Sequence, residues 1–554
     1  MRGGDDMTAE MFVSLGHNSS AAVAVDGVVV AAYEQERFDR RKSSSAYPRD
    51  AIHACLHATD RRYFDAVYVS HWFDRFALED SKYLDLTDLR IYSDRIVGLD
   101  PDLTHHDAHA RSALAFARCH GVVGEATVVV MDGFGNRQEC FSVYDAFNGR
   151  QPRLRHRTYG YDMSLGLMYQ YATDFLGLKQ NQDEYKLLGY ESRILRYIVT
   201  EEAAQALRAH VWEAGQQHAL QMVASNRYPR DSEGHDGLIN AAALKAAYYR
   251  WVHECRYWLK LLESFGLDVG NGPAVRAGIA FCAQSFLESA TLRAIREATQ
   301  TPGPLVLTGG SFYNVKLNRV VARHFGVPTL CHPLAGDQGA AMGVSPTPPA
   351  CNGLLLGHRE LPPTTYSVPR GEWIKEVAQA VDAGRIVNVV RGAMEFGPRA
   401  LCDTTTFALP TAENVSVINR LCERDDAMPF APVMTQAAAR HYLDNRDIEL
   451  AGESLRYMIT TCALRRRPLD RIKGIAHPDP LDDTLWTARP QITTDPELVS
   501  LLERFPDETL INTSFNYHGE PIIHTVEQAI ATYTKQLKQA EKIGFTDVDL
   551  VIVP

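Results

Sequence analysis

The chain has 554 residues, of which 45% are hydrophobic and 23% charged, and its formal net charge is −11. This length predicts two or three domains, and the acidic balance disfavours a nucleic-acid partner. No apolar run approaches the roughly 18–20 residues of a membrane-spanning helix, and residues 1–10 are polar rather than signal-like. The ten cysteines include no C-x-x-C pair, which is typical of reduced thiols in a cytoplasmic protein with no membrane partner.

A pattern of short strands and turns occurs twice in the first part of the chain. Apolar runs separated by polar turns predict strands over residues 11–15, 21–25 and 28–32, and again over residues 126–131, 140–144 and 154–159. A further turn is predicted near Asn148-Gly149. The repetition predicts a duplicated α/β domain with a ligand cleft between its halves.

Longer periodic segments follow. Apolar residues at three-to-four spacing predict helices over residues 167–178, 241–265 and 277–299. Residues 304–344 are βαβ-like, and the proline-rich stretch after them is typical of a linker. We therefore predict a first domain at residues 10–347, a linker at 348–372 and a second domain at 373–554. Within the second domain, strands are predicted at 386–390 and 509–512 and a helix at 526–542.

Two histidines and two aspartates are the first candidate site. His105 and His109 are four residues apart, so on a helix they share one face. Asp132 follows an apolar strand and Asp337 lies in a glycine-rich turn, so both carboxylates are expected at strand ends in the cleft. This mixed nitrogen and oxygen set suits iron, manganese or zinc. The alternative is a structural or surface role for the two histidines and a role in turns or helix caps for either aspartate.

Glycine-rich turns are the second candidate site. Residues 16–20, Gly309-Gly310 and residues 336–339 each follow a predicted strand, and such turns expose backbone N–H groups to phosphate. Lys42, in a charged run, is a candidate to neutralise that phosphate. The alternative for the run is a solvated surface.

Arginines of the second domain form the third candidate site. Arg399 lies in the string MEFGPRAL after a predicted buried strand, and Arg424, Arg456 and Arg489 follow. Guanidinium groups bind phosphates and carboxylates through paired hydrogen bonds, whereas exposed arginines form weak ion pairs. Side chains of the string NTSFN at residues 512–516 are expected to orient the same ligand.

These strings together resemble the nodulation-factor and antibiotic O-carbamoyltransferases. The resemblance covers nearly the whole chain, and its strings are EQERF (34–38), HHDAHARSA (105–113), SLGLMY (164–169), DEYKLLG (183–189), GDQGAA (336–341), MEFGPRAL (394–401) and NTSFNYHGEP (512–521). It implies an N-terminal domain similar to the tRNA threonylcarbamoyladenosine transferase, with a duplicated actin-like ATPase fold. It implies a C-terminal domain similar to the threonylcarbamoyl-AMP synthase, with a twisted α/β fold.

The resemblance also implies an activity, an ATP-dependent O-carbamoyl transfer. Carbamoyl phosphate and ATP, with Mg²⁺, would give carbamoyl adenylate in the C-terminal domain, and the carbamoyl group would pass to the hydroxyl of a small-molecule acceptor in the N-terminal domain. A homodimer is the expected assembly.

The resemblance assigns roles to particular residues. The metal ligands would be His105, His109, Asp132 and Asp337, with Fe(II) as the expected ion, and His17 and Lys42 would be catalytic. The residues implied or expected to bind substrate or nucleotide are Gly309, Gly310, Asn314, Arg399, Arg424, Arg489, Asn512 and Ser514. Asp236, in a polar loop, is a candidate base for the acceptor hydroxyl, against the alternative of a plain surface loop.

The chain departs from the family pattern at four places. Asn18 stands where an aspartate is usual, and Cys402-Asp403-Thr404-Thr405 replaces Gly-Asn-Arg-Ser. Met428 replaces an arginine, and a lysine usual near Cys422 is missing. Two other functions are compatible with the fold: a sugar-kinase-like phosphotransferase, and a non-catalytic nucleotide-binding or tRNA-modification scaffold.

Overall fold

The computed structural model describes every residue except 1–6, 72–88, 90, 101, 123, 148–149, 199, 228–238, 301, 360, 427–429 and 483. Asp236, Met428 and the turn predicted at Asn148-Gly149 therefore lie outside the described residues.

The first repeat forms a five-stranded sheet. Its strands are β1 (Ala9–Ser14), β2 (Ser20–Val25), β3 (Val28–Glu34), β5 (Ala66–Ser70) and β7 (Ile96–Val97), with the short pair β4 (Tyr63–Phe64) and β6 (Tyr92–Ser93) forming a separate sheet. The order is β3-β2-β1-β5-β7, with β1 antiparallel to β2 and parallel to β5. Strand β1 is therefore central, which explains why its residues are almost all buried.

The second repeat forms a sheet of the same design. Its strands are β8 (Ala126–Met131), β9 (Glu139–Ala146), β10 (Arg153–Tyr159), β11 (Leu305–Thr308) and β12 (Thr329–Cys331). Their order is β10-β9-β8-β11-β12, and β8 is antiparallel to β9 and parallel to β11. The predicted duplication is confirmed, because both sheets share one order and one set of strand directions. This paired topology is that of an actin-like ATPase fold.

Helices connect and cover the two sheets. They are α1 (Glu36–Asp39), α2 (Arg49–Thr59), α3 (His105–Cys119), α4 (Leu165–Phe175), α5 (Glu184–Glu191), α6 (Glu201–Ala224), α7 (Ala241–Ser264), α8 (Gly272–Thr299), α9 (Val315–Phe325) and α10 (Asp337–Ala340). The sequence predicted α4, α7 and α8 but missed α6. The buried face of α6 includes Ala204, Gly215, His218 and Ala219, which are small or polar, so its apolar periodicity is weak.

The C-terminal half is a second α/β unit. Its strands are β13 (Ile386–Arg391), β14 (Thr404–Ala408), β15 (Ala431–Met434), β16 (Cys462–Ala463), β17 (His477–Pro478), β18 (Trp486–Ala488), β19 (Gln491–Ile492), β20 (Thr509–Ser514) and β21 (Val548–Val553). Its helices are α11 (Trp373–Asp382), α12 (Ala412–Leu421), α13 (Gln436–Tyr442), α14 (Asn445–Ala451), α15 (Pro496–Leu502) and α16 (Val526–Ile543). A six-stranded mixed sheet, β19-β15-β20-β14-β13-β21, carries apolar clusters on both faces.

The two halves pack against each other through side chains and backbone. Phe396, Leu401 and Met458 of the C-terminal half belong to the same buried apolar cluster as the second N-terminal sheet. The stretch predicted as a linker contacts both halves: the Ala350 N–H donates to the Gly27 carbonyl at 2.7 Å, and Ser367 bridges to Ile552. The two halves therefore share a continuous interface.

Two general expectations can be compared with the structure. All ten cysteines are free thiols, and nine of them are buried. Within the described part of the chain, no helix is long and apolar enough to cross a bilayer.

Candidate functional site

A cluster of two histidines and two aspartates lies where the second sheet meets helix α3. Thr104 caps this helix in a capping box with Asp107, which places His105 in the first turn and His109 one turn later. Asp132 directly follows strand β8, as predicted. Asp337 is the first residue of the short helix α10 rather than part of a turn, because residues 337–340 continue from the glycine loop as one helical turn.

The four side chains converge. His105 Nε2 lies 3.0 Å from His109 Nε2 and 3.2 Å from Asp337 Oδ1, and the other histidine–carboxylate distances are 3.5–3.6 Å. One donor atom of each residue lies within 4.8 Å of all the others. Metal–ligand bonds of about 2.0–2.2 Å separate neighbouring ligands by roughly 3–3.5 Å, so the donor set fits one metal ion. His105 Nδ1 lies 3.1 Å from the His71 carbonyl oxygen, which holds the ring with its Nε2 facing the cluster.

The histidines and aspartates of the cluster shift one another's pKa values in opposite directions. Burial alone would lower the pKa of His105, but Asp337 and Asp132 outweigh it and raise this pKa to about 10. Burial alone would raise the pKa of Asp337, but the two histidines lower it to about 2. The two carboxylates are therefore ionised over the physiological range, as metal ligands must be, and a bound metal ion would displace the proton that they hold on His105.

A cleft of about 320 Å³ opens in front of the two carboxylates, and we call it the His–Asp cleft. His17 and Lys42 line it, as do Gly310 and Asn314. A Cβ atom at Gly310 would lie 2.9 Å from Asp132 Oδ1, and a Cβ atom at Gly309 would collide with the Met131 carbonyl oxygen. Asn314 also caps helix α9, accepting a hydrogen bond from the Leu317 N–H at 3.0 Å.

A second cavity, of about 170 Å³, is lined mainly by residues of the C-terminal half and also by N-terminal residues such as Lys42, Tyr185 and Lys316, and we call it the arginine cavity. Arg399, Arg424 and Arg489 all line it and are half-buried. In each of the three, Nε is buried without a hydrogen-bond partner among the described residues. Arg456 is different, since it forms an ion pair with Glu453 at 3.0 Å.

Positive charge is concentrated in the arginine cavity. Burial lowers the pKa of Arg399 and Arg424, and burial together with these two neighbours lowers the pKa of Arg489 well below its usual range. Within the described chain, no carboxylate lies within 4 Å of these guanidinium groups. A bound polyanion would relieve this repulsion, so the cavity is suited to phosphate.

Asn512 and Ser514 lie on strand β20 at the wall of the arginine cavity. The Asn512 amide donates to the Ala400 carbonyl at 3.0 Å and to Gln491 Oε1 at 2.6 Å, and it accepts from Thr405. Its hydrogen bonds therefore go to the protein, which makes Asn512 a support of the wall. Ser514 is half-buried and lines both cavities.

The two cavities share one wall. The residues that line both are Lys42, Tyr185, Leu188, Pro398, Arg399, Ser514 and Asn516. Lys42 is half-buried, with Nζ 4.6 Å from the centre of the Tyr185 ring, and burial lowers the pKa of its ammonium. The solvated-surface alternative for Lys42 is therefore wrong.

Sequence reasoning missed several cavity residues. Tyr185 lies within the string DEYKLLG, and Glu184 beside it lines the His–Asp cleft with a pKa that burial raises to about 7. His477 and His518 line the arginine cavity. Neither histidine forms a recognisable spacing pattern with other residues, so only the fold shows that they line the cavity.

Family models and individual relatives show which known proteins this chain is similar to. A model described as "Carbamoyltransferase N-terminus" matches residues 99–345, and one described as "Carbamoyltransferase C-terminus" matches residues 378–545. The nodulation protein NolNO of Sinorhizobium fredii is 24% identical over 569 residues, covering 93% of this chain and 76% of that protein. The 3'-hydroxymethylcephem-O-carbamoyltransferase of Amycolatopsis lactamdurans is 26% identical over 258 residues, covering 42% and 46%.

Among solved structures, component A of (R)-2-hydroxyglutaryl-CoA dehydratase from Acidaminococcus fermentans matches 61% of this chain and 96% of its own, with 14% identity and a TM-score of 0.33. These values are too low to bear on function.

The fold and the site define a two-part α/β protein with an arginine-lined cavity beside a cleft that carries a cluster of metal-ligand type. The chain belongs to the O-carbamoyltransferase family, and it is an enzyme that transfers carbamoyl groups.

Proposed function

We propose that the enzyme uses ATP and carbamoyl phosphate to carbamoylate a hydroxyl group of a small-molecule acceptor. The observation that carries the proposal is the shared wall: an arginine cavity suited to phosphates opens beside a His–Asp cleft, and Lys42 and Arg399 face both. The cephem relative is a 3'-hydroxymethylcephem-O-carbamoyltransferase, and this activity supports a small-molecule acceptor.

The first reaction is assigned to the arginine cavity. Water releases phosphate from carbamoyl phosphate and leaves carbamate. A carbamate oxygen then attacks the α-phosphorus of ATP, the bond to the β-phosphate breaks, and pyrophosphate leaves. Arg399, Arg424 and Arg489 hold the phosphates and offset the charge of the transition state, and Mg²⁺ accompanies the ATP.

The second reaction is assigned to the His–Asp cleft. The oxygen of the acceptor hydroxyl attacks the carbamoyl carbon, its proton passes to a base, and AMP leaves as the bond between that carbon and the phosphate oxygen breaks. Lys42 and His17 lie where they can hold the phosphate of the leaving AMP and orient the acceptor. Because the two cavities share a wall, the adenylate would have only a short path from one to the other, which would limit its hydrolysis.

A divalent metal ion held by His105, His109, Asp132 and Asp337, with Fe(II) as the expectation from the family, would supply Lewis-acid stabilisation of negative charge in the cleft. The buried, converging donor set supports this assignment. His332, buried behind the cluster, keeps a neutral ring because burial lowers its pKa to about 3, so it adds no competing positive charge.

The experiment that tests the proposal needs no acceptor. Purified enzyme is incubated with ATP and Mg²⁺, with and without carbamoyl phosphate, and the nucleotide products are separated. We expect AMP and pyrophosphate that depend on carbamoyl phosphate. Steady ADP formation that ignores carbamoyl phosphate would favour the sugar-kinase-like alternative, and no turnover at all would favour a binding scaffold.

A further inference from the structure

An ion pair that the reactions above do not use is buried at the interface of the two halves, and its Glu34 also lines the His–Asp cleft. Arg37 Nη2 lies 2.8 Å from Glu34 Oε2, and the two residues are only 3% and 4% exposed. Burying such a pair is costly unless further hydrogen bonds satisfy it. Arg37 Nε and Nη1 are buried without a hydrogen-bond partner among the described residues, and the further hydrogen bonds of the pair run through Arg37 Nη2 and Glu34 Oε2. The partners of those bonds show what the pair holds.

The pair holds one residue of the C-terminal half by its backbone on both sides. Glu34 Oε2 accepts a hydrogen bond from the Gly397 N–H at 3.1 Å, and Arg37 Nη2 donates one to the Gly397 carbonyl at 2.5 Å. Hydrogen bonds to charged groups are about twice as strong as neutral ones. The backbone of Gly397 is thus fixed at both its donor and its acceptor.

Gly397 is a position where a fixed backbone matters. Its φ of +108° is accessible to glycine but strained for other residues, and a Cβ atom would lie 3.0 Å from Leu334. Pro398 follows and restricts the next torsion, and then comes Arg399, whose guanidinium faces both cavities. The direction of Arg399 therefore depends on the orientation of the Gly397 backbone.

Arg40, the residue directly after helix α1, contacts a second loop of the C-terminal half. Arg40 donates to the carbonyl oxygens of Pro521 at 2.7 Å and Ile522 at 2.9 Å. The same segment then leads into Lys42 on the shared wall. One short segment thus touches both C-terminal loops and carries the lysine between the cavities.

We propose that Glu34 and Arg37 are positioning residues for carbamoyl adenylate formation, holding the Gly397 backbone so that Arg399 is aligned for ATP and carbamoyl phosphate. This inference rests on the proposed function. Both members of the pair belong to the N-terminal half, in the string EQERF, so the inference gives that half a second part, besides Lys42, in the reaction assigned to the arginine cavity.

The test separates positioning from stability. Arg37→Met removes both donated hydrogen bonds but leaves Glu34 buried and unpaired, so we expect a lower melting temperature. The double variant Glu34→Gln/Arg37→Met replaces the pair by uncharged side chains of similar volume, which relieves that penalty, and the amide oxygen introduced at position 34 can still accept the Gly397 N–H. We expect the double variant to melt within about 3 °C of the wild type and yet to release carbamoyl-phosphate-dependent pyrophosphate about tenfold more slowly.

The matched control is Glu453→Gln/Arg456→Met, which removes an exposed pair with the same three-residue spacing. We expect it to leave pyrophosphate release unchanged. A second comparison places Glu34→Gln/Arg37→Met in an Arg399→Lys background. Because the pair acts through Arg399, we expect no further loss there.

Two results would overturn the inference while the proposed function stands. In the first, the double variant Glu34→Gln/Arg37→Met regains both its stability and the wild-type rate of pyrophosphate release. In the second, adding the double variant to Arg399→Lys slows pyrophosphate release a further tenfold. Failure of the proposed function has a different signature, since wild-type enzyme would then release no carbamoyl-phosphate-dependent pyrophosphate, and the inference would fall with it.

Discussion

The guanidinium of Arg37 donates a 2.5 Å hydrogen bond to the carbonyl oxygen of Gly397, which lies 360 residues further along the chain. This contact joins two strings that are separate in the sequence, EQERF and MEFGPRAL. It places the loop that carries Arg399 against the strand and helix that lead to Lys42. This contact is one of several that hold the halves together where the two candidate reaction sites are adjacent.

The metal assignment predicts the effect of removing one ligand. His109→Ala or Asp337→Ala leaves three donors, so we expect metal content to fall from about one ion per chain to near zero and carbamoyl transfer to be lost. The measurement is elemental analysis after anaerobic loading with Fe(II). His120→Ala, at the C-terminal end of the same helix, should keep its metal, and full occupancy in both ligand variants would contradict the assignment.

The shared wall predicts how the two reactions separate. Arg399→Ala should stop pyrophosphate release, because it removes charge from the arginine cavity. His17→Ala should leave pyrophosphate release largely intact and block carbamoylation, since His17 lines only the His–Asp cleft of the two. Lys42→Ala should impair both, because Lys42 lines both cavities. Adenylate formation at the wild-type rate in Arg399→Ala would show that the two-site division is wrong.

Close packing behind the metal cluster predicts a stability effect. A Cβ atom at Gly343 would collide with the carbonyl oxygen of Ala108, on the helix that carries His105 and His109. Gly343→Ala should therefore displace this helix, lower the melting temperature by several degrees and weaken metal binding. Gly353→Ala is the matched control, since a Cβ atom there meets nothing within 4 Å. Equal melting temperatures for the two variants would contradict the prediction.

The raised pKa of Glu184 predicts that the stability of the protein depends on pH. Burial raises the pKa of its carboxyl from 4.5 to about 7, with Asp183 raising it and Lys42 lowering it. Between these two values the unfolded chain loses this proton first, so the carboxyl disfavours the folded state increasingly as pH rises, until the effect levels off above pH 7.

Glu184→Gln removes this titration but keeps an acceptor for the Asn181 N–H. Relative to wild type, the variant should therefore gain stability between pH 5 and pH 8, by about 2 kcal/mol. Thermal melts of both proteins at the two pH values measure it. A stability difference that is the same at pH 5 and pH 8 would mean that Glu184 has an ordinary pKa.

The sequence by itself determined the strand pattern of both repeats, three of the long helices and the family. Local signals suffice for these features, because hydrophobic periodicity and turn residues act over a few positions. The four-residue spacing of His105 and His109 likewise needed only one helix. The string MEFGPRAL also pointed to Arg399, and the family resemblance pointed to Arg424 and Arg489, although Arg456 in the same set proved to be in a surface ion pair.

The tertiary structure alone decided which of these residues share a site. Asp132 and Asp337 are far apart in the sequence, and no local feature of the chain fixes the distance between them. The pairing of β8 with β11 and the packing of α10 on α3 fix that distance. The same holds for Lys42, for which the sequence left two alternatives open: a solvated surface residue or a residue that binds phosphate. Its burial between two cavities depends on contacts with residues 140 or more positions away, and such long-range packing leaves no periodic signal in the sequence.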